Sequence, residues 1–406
     1  MPTPFSFASF ADSIADFTTS YAKSPLSTPA DAVAAANSLA PRLFAQAPAS
    51  DEVGGFPTQE IQWLRETGLL TAVLPARLGG AGLGEPAATD SLLQVLYHIG
   101  RGNLAVGRLF EGHVNALLLI RCFGSSTQLA RYAADAHAGH FFGVWNTENP
   151  ADGVRLETYG AGYRLRGAKT FASGAGHLTR PVLTGALPNK QGWQLLVLDA
   201  TAQPPTLDPS FWRPLGMRAT ASFRADMTGL QVGASDLLGR PNDYYRAPWF
   251  GGGASRFAAV QLGGAAAVLN ETRRFLRRLG RTDDPYQRQR LGELLALHET
   301  GQRWLRGAAA TAALPATASE VLSTARLDAI GAYVGLLRGT VENSCLRTLQ
   351  LAERCVGARG LLQPEPFERL HRDLTHYLRQ PAPDAVLADA GRFALASDRP
   401  AHELFL

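Results

Sequence analysis

The sequence predicts an α+β fold, mostly helical, in which a strand-rich middle region separates two helical ones. Three observations carry that prediction. Apolar residues recur at three- and four-residue spacing from near the N-terminus to about His140. Short, partly alternating runs broken by Gly, Pro and Asn follow, from Phe141 to Asp243. Long amphipathic helical runs then return from Ser255 onward. The expected organisation is a helical domain over 1–140, an antiparallel β domain over 141–243, and a C-terminal four-helix bundle over 244–406.

Within the first region, "TPADAVAAANSLAPRLFAQA" and "TQEIQWLRETGLLTAVL" have helical spacing, and Gly68 is a plausible stop. "LPARLGGAGLGEP" is a glycine-rich loop, followed by a long helical stretch from about Ala88 to Ala133. In the middle region "YRLRGAKTFAS", "WQLLVLDA" and "SFRADMTGLQV" read as strands. After them, "SRFAAVQLGGAAAVLNETRRFLRRLG" is one long helix stopped by Gly280, and two further helical runs extend to Cys355. Each helical portion has one face too apolar to stand in water, so the two should pack together. No internal repeat of fixed period is visible.

The composition narrows the function classes. With 46% apolar and 18% charged residues, the 406-residue chain is that of a soluble globular protein. A net charge of +4 comes from arginines scattered along helices, without the dense basic block of a nucleic-acid groove. Cys122, Cys345 and Cys355 lie far apart, which points to a reducing, cytoplasmic setting. The N-terminus has no basic segment of a signal peptide, and no apolar run approaches the ~20 residues of a membrane span. The nine histidines form no metal-ligand spacing, so no metal is expected.

Several local motifs, in order, resemble the acyl-CoA dehydrogenase family of flavoproteins. "LPARLGGAGLG" is similar to the family's Gly-rich loop, and "VWNTENPADG" to its Thr-Glu-Pro segment. "YRLRGAKTFASGAG" resembles the strand pair ending beside the flavin, and "PLGMRATASFRADMTGLQV" the Gly-Met-Arg segment. "VGARGLL" followed by "FERLHRD" resembles the final turn and helix. The resemblance implies FAD held between the β domain and the C-terminal bundle of a homodimer or homotetramer. It implies an acyl-CoA or related thioester as substrate, and an electron-accepting flavoprotein or a flavin reductase as partner. Trp145 and Thr147 then fall beside the cofactor, Phe171 packs on its ring, and the Ser173 hydroxyl bonds flavin N5, the atom that accepts hydride. Arg281 matches an arginine reaching the FAD pyrophosphate of a neighbouring subunit. Glu111 and Arg256 match residues on the substrate side.

One element of the family pattern is missing. Alpha,beta-dehydrogenation needs a carboxylate of raised pKa at the substrate's alpha carbon. The position that carries it in most members is Pro381 here, and the alternative position at the start of the long helix is Ser255. Neither can take the proton. Asp384, three residues beyond Pro381, is the nearest substitute base. A second reading is a flavin-dependent monooxygenase, for which "GRLFEGHVNALLLI" supplies His113 as a catalytic histidine. Such relatives place another histidine in the late loop, where this chain has Gln380, with His376 four residues earlier. A third reading is a relative that binds FAD or a thioester without turnover. Dehydrogenation by a non-standard base is the leading expectation.

Overall fold

The computed structural model describes residues 26–149, 151–379 and 383–405. Five helices come first: α1 (Pro29–Ser50), α2 (Thr58–Glu66), α3 (Thr89–Gly102), α4 (Leu104–Phe123) and α5 (Ser126–His137). The stretch expected to be one long helix up to Ala133 is three, for two local reasons. Asn103 is extended, and its side chain caps α4 through Ala105 N and Val106 N. Ser125 then opens α5 with a capping box to Gln128.

The strands are β1 (Phe142–Trp145), β2 (Arg155–Tyr159), β3 (Gly162–Arg166), β4 (Ala168–Ala172), β5 (Arg180–Ala186), β6 (Trp193–Val197), β7 (Thr206–Asp208), β8 (Phe223–Asp226), β9 (Gln231–Val232) and β10 (Leu237–Leu238). They form two sheets. One runs β10-β6-β5-β2-β3-β9 with β1 paired to β5, and the other runs β4-β8-β7. Most pairings are antiparallel as expected, but β1 and β2 each run parallel to β5.

The helices return as α6 (Trp249–Gly252), α7 (Ala254–Arg278), α8 (Pro285–Thr311), α9 (Thr324–Gly360), α10 (Phe367–Tyr377) and α11 (Pro383–Leu395). α7 packs against both α3 and α9, so the two helical portions share one core. Glycine makes that crossing close: a Cβ on Gly263 would lie 2.1 Å from the carbonyl oxygen of Tyr97 on α3. Among the described residues, no helix is long and apolar enough to cross a membrane.

A second close approach joins the β domain to the end of the bundle. A Cβ on Gly216 would sit 2.1 Å from the Arg372 carbonyl oxygen on α10. Next to it, the Met217 N–H donates to buried Asp373 Oδ1 at 2.6 Å. Arg372 itself bonds Asp51 Oδ2 at 2.6 Å, Glu368 Oε2 at 3.0 Å and the Leu215 carbonyl at 3.4 Å. One guanidinium therefore ties segments of the N-terminal helices, the β domain and α10 to one point. That junction fixes the last turn of α10 against the loop before β8.

Candidate active site

The strand side of the site is an apolar shelf built on a strained bulge. The β4–β8 register shifts between Lys169 and Ala172, and Phe171 adopts a left-handed φ of 50°. Non-glycine residues occupy that region only where the surroundings impose it, and such strain clusters at functional sites. The bulge turns Phe171 outward, leaving it 50% exposed. Its ring meets Phe211 and Trp212 edge-on at 5.2 and 6.2 Å between centroids. Trp212 in turn contacts His376, from the last turn of α10, edge-on at 5.5 Å. Burial pushes the His376 pKa below its ordinary 6.5, so the ring favours the neutral state.

Behind Phe171 runs a chain of hydroxyls. Ser173 Oγ lies 2.9 Å from Ser222 Oγ, which lies 2.7 Å from Thr220 Oγ1. Thr220 Oγ1 donates to the Met217 carbonyl at 2.9 Å. A hydroxyl has one proton to give. Thr220 therefore accepts from Ser222, and Ser222 from Ser173, so the Ser173 proton points inward and its lone pairs outward. Trp145 is buried beneath this chain, with Nε1 donating to the Ser173 carbonyl at 2.9 Å. It holds Ser173 in place and offers no open face. Thr147 is exposed, and its carbonyl accepts from Thr170 N at 3.0 Å. The neighbouring Asn146 accepts from Thr184 Oγ1 and from the Tyr245 hydroxyl, each at 2.9 Å.

The helix side is charged. Arg108 Nη1 donates to Glu111 Oε2 at 2.8 Å on α4. Asn115 bridges onward, its amide donating to Glu111 and its oxygen accepting from Arg256 Nε. Tyr244 and Tyr377 stand close enough to feel these charges, and burial pushes both phenols well above their ordinary range. The two sides share supports. α4 packs on β1 and on the turn Arg218–Thr220, and α10 carries His376 toward the shelf and Tyr377 toward the charged cluster.

The other expected site residues stand in varied settings. His113 is fully buried, with Nε2 2.7 Å from the Leu70 carbonyl and Nδ1 accepting the Phe142 N–H at 3.1 Å. Both ring nitrogens are occupied by backbone, so the ring crosslinks α4 to the segments at Leu70 and Phe142. Burial holds its pKa down at about 4. Asp384 is exposed in the first turn of α11, where an acidic side chain complements the helix N-terminus. Ser255 is buried, and its hydroxyl donates to the Gly252 carbonyl at 3.2 Å. Arg281 is exposed just past the C-terminal end of α7, whose run from Arg256 to Arg278 is about 33 Å at helical rise. Gln380 and Pro381 lie outside the described residues.

The sequence reading missed Arg108, Asn115, Trp212, Ser222 and Thr220. A signal existed for the first two. Arg108, Glu111 and Asn115 are spaced by three and four, which places them on one face of α4. His113, two residues from Glu111, falls elsewhere. Thr220, Ser222 and Trp212 are brought to the site by the loop before β8, which carries no periodic signal.

The architecture is that of an acyl-CoA dehydrogenase fold. Residues 33–140 match the family model for the acyl-CoA dehydrogenase N-terminal domain. Butyryl-CoA dehydrogenase from Megasphaera elsdenii superposes with a TM-score of 0.77 at 16% identity, over 90% of this chain and 98% of that one. The family resemblance read from the sequence therefore stands. Dibenzothiophene monooxygenase of Rhodococcus erythropolis is 27% identical, over 91% of this chain and 94% of the relative. A dibenzothiophene monooxygenase of the same fold, TdsC from Paenibacillus sp. A11-2, solved with FMN and indole, has a TM-score of 0.79 at 21% identity, over 92% and 99% of the two chains.

Proposed function

We propose that this protein is a flavin-dependent monooxygenase that works with a separate flavin reductase. The observation that carries the reading is the state of the carboxylates. The groups that the family pattern would offer for alpha-proton removal are spent or misplaced. Glu111 is paired with Arg108 and Asn115, Asp384 faces solvent, and Ser255 serves the backbone. The side chain presented beside the shelf is His376, held mostly neutral by burial. The whole-chain similarity to dibenzothiophene monooxygenase supports the same choice over dehydrogenation.

The residues present fit a flavin. Phe171, outward on its bulge, offers an apolar face for the ring system, and the Ser173 hydroxyl lies two residues along the same turn. A bound reduced flavin supplies the two electrons that activate oxygen for transfer to substrate. The hydroxyl order suits that redox state: with its proton committed inward, Ser173 is an acceptor for a ligand N–H. Donating to oxidised N5 instead would require Ser222 to turn its proton toward Ser173, leaving either the Ser222–Thr220 contact without a proton or Thr220 without its bond to Met217. His376 is positioned to hold or move a proton at the shelf's edge. Phe171, Phe211 and Trp212 restrict water around it.

FMN is the favoured form, because it is the flavin bound in the solved TdsC structure; the expected role of Arg281 lies on the FAD pyrophosphate of a neighbouring subunit. Only a site completed by a second copy would use it. The deciding experiment supplies the purified chain with FMN or FAD and a flavin reductase, and follows oxygen uptake and an oxygenated product on a panel of sulfur compounds. Product formation dependent on reduced FMN is expected. Anaerobic bleaching of bound flavin by an acyl-CoA, without any reductase, would overturn the reading in favour of dehydrogenation.

A further inference from the structure

We infer that the helix-side cluster is a subsite for the anionic head of a substrate: a carboxylate or a sulfur oxyanion held between Arg108 and Arg256. The inference rests on reading this cluster as the substrate side of the proposed flavin site, and it names the class of molecule bound there.

The argument is a charge count followed by a donor count. Two guanidiniums, Arg108 and Arg256, share one carboxylate, Glu111, and Asn115 between them is neutral. Tyr244 and Tyr377, the other titratable groups facing the cluster, are kept protonated by burial and add no charge. The cluster therefore carries one positive charge in excess. Such an excess is costly in a half-buried setting unless an anion completes it.

The donors point the same way. Arg108 uses only Nη1, on Glu111. Arg256 uses only Nε, on Asn115. The remaining guanidinium nitrogens of both residues make no hydrogen bond among the described residues. None of them is among the polar atoms sealed away without a partner. They are thus not sealed from solvent, and Arg108 keeps 26% of its side chain accessible. A packing-only ion pair would be expected to seal or satisfy its donors. Here two arginine forks have been fixed at one edge by Glu111 and Asn115, with their free edges left available. Planar forks of this kind match the oxygen pairs of carboxylates, sulfinates and sulfonates.

Glu111 then has a definite role. It orients Arg108, and through Asn115 Arg256, while cancelling one of the two charges. Removing its charge should strengthen anion binding, the opposite of what a substrate-contacting carboxylate or base would show.

The test is calorimetric titration of the full chain, loaded with oxidised flavin so that no turnover occurs, with 1-butanesulfonate and with the uncharged butyl methyl sulfone. The sulfonate should bind at least about tenfold more tightly at low salt, and added chloride should erode the difference. Arg256→Gln should remove about tenfold of sulfonate affinity and leave the sulfone unchanged. Glu111→Gln should tighten sulfonate binding by about threefold or more, with folding checked by thermal melting. Equal affinity for the two probes in the wild-type protein overturns the subsite, as does weaker sulfonate binding in a folded Glu111→Gln protein. These readouts involve no oxygen chemistry. Failure of the reductase experiment with intact sulfonate selectivity would sink the oxygenase reading and leave the subsite standing. Loss of selectivity with intact oxygenation would do the reverse.

Discussion

Two histidines separated by most of the chain show what decides whether a side chain can do chemistry. His113 lies at the α4–β1 contact, fully buried, with each nitrogen bonded to a backbone group of a different segment. His376 lies at the end of α10, half-buried, touching the shelf through Trp212, its ring making no hydrogen bond among the described residues. Burial depresses both pKa values. In His113 the depression accompanies a neutral ring whose donor and acceptor are already spent, whereas in His376 it leaves a neutral ring with its lone pair available. A shifted pKa by itself does not separate a structural from a functional histidine; the hydrogen-bond inventory does.

The sharpest way to break this contrast is to remove the structural member. His113→Ala should cost about 4 kcal/mol of stability, since it orphans the Phe142 N–H and the Leu70 carbonyl in a sealed region and leaves a void. Denaturant unfolding would read that loss. A fully folded, normally stable variant lacking only activity would restore His113 to the site. Acid gives a slightly smaller effect. The folded-state pKa of about 4 lies below the ordinary 6.5, so the native state binds fewer protons than the unfolded chain between those values. The stabilisation is present above about pH 6.5 and is lost as pH falls toward 4, by about 3 kcal/mol in total. His98, also held at about 4 by burial, adds in the same direction. Melting temperature measured across that window should fall steadily, and less steeply in a destabilised but folded His113 variant.

The functional member should behave oppositely. On the oxygenase reading, His376→Ala is expected to lower the rate of product formation about a hundredfold while changing stability by less than about 1 kcal/mol. Its burial-lowered pKa also places the acid limb of the pH–rate profile below pH 6.5, and His376→Ala should abolish that limb. A stability loss as large as that of His113→Ala would erase the distinction between the two.

Legibility in the sequence follows the same division. Helices and strands came from periodicity, because α7, α8 and α9 each bury one stripe and the β domain alternates locally. The breaks at Asn103 and Ser125 were missed, although both are capping residues, because the apolar pattern continues across them. At the site, residues fixed by local spacing were readable in principle, as with the 108–111–115 stripe. Phe171 and Ser173 were legible only through motif resemblance, since no rule of spacing foretells a bulge with left-handed φ. Partners assembled by tertiary docking were not legible at all. Trp212 meets His376 because Gly216 lets the loop touch α10, and Asn115 meets Arg256 because α4 and α7 cross. Nor could the sequence show that His113 was spoken for, because its bonds run to backbone groups at Leu70 and Phe142 that any residue supplies.

The smallest expected effect tests the other group that sequence reasoning put forward. Asp384 is exposed in the first turn of α11, a helix whose Val386 and Leu387 pack against Gly335 and Gly339 of α9. Its carboxylate can contribute a favourable interaction with the helix N-terminus, worth about 0.5 kcal/mol at an exposed position. Asp384→Asn keeps a side chain well suited to a helix start, so stability should move by no more than that amount. Flavin reduction and product formation should not move at all. A hundredfold loss of thioester-dependent flavin reduction in this variant would mean that α11 swings its first turn to the shelf during turnover. The carboxylate missing from the dehydrogenase pattern would then have been supplied by motion, and the contrast drawn here between occupied and available groups would have to include where α11 can go.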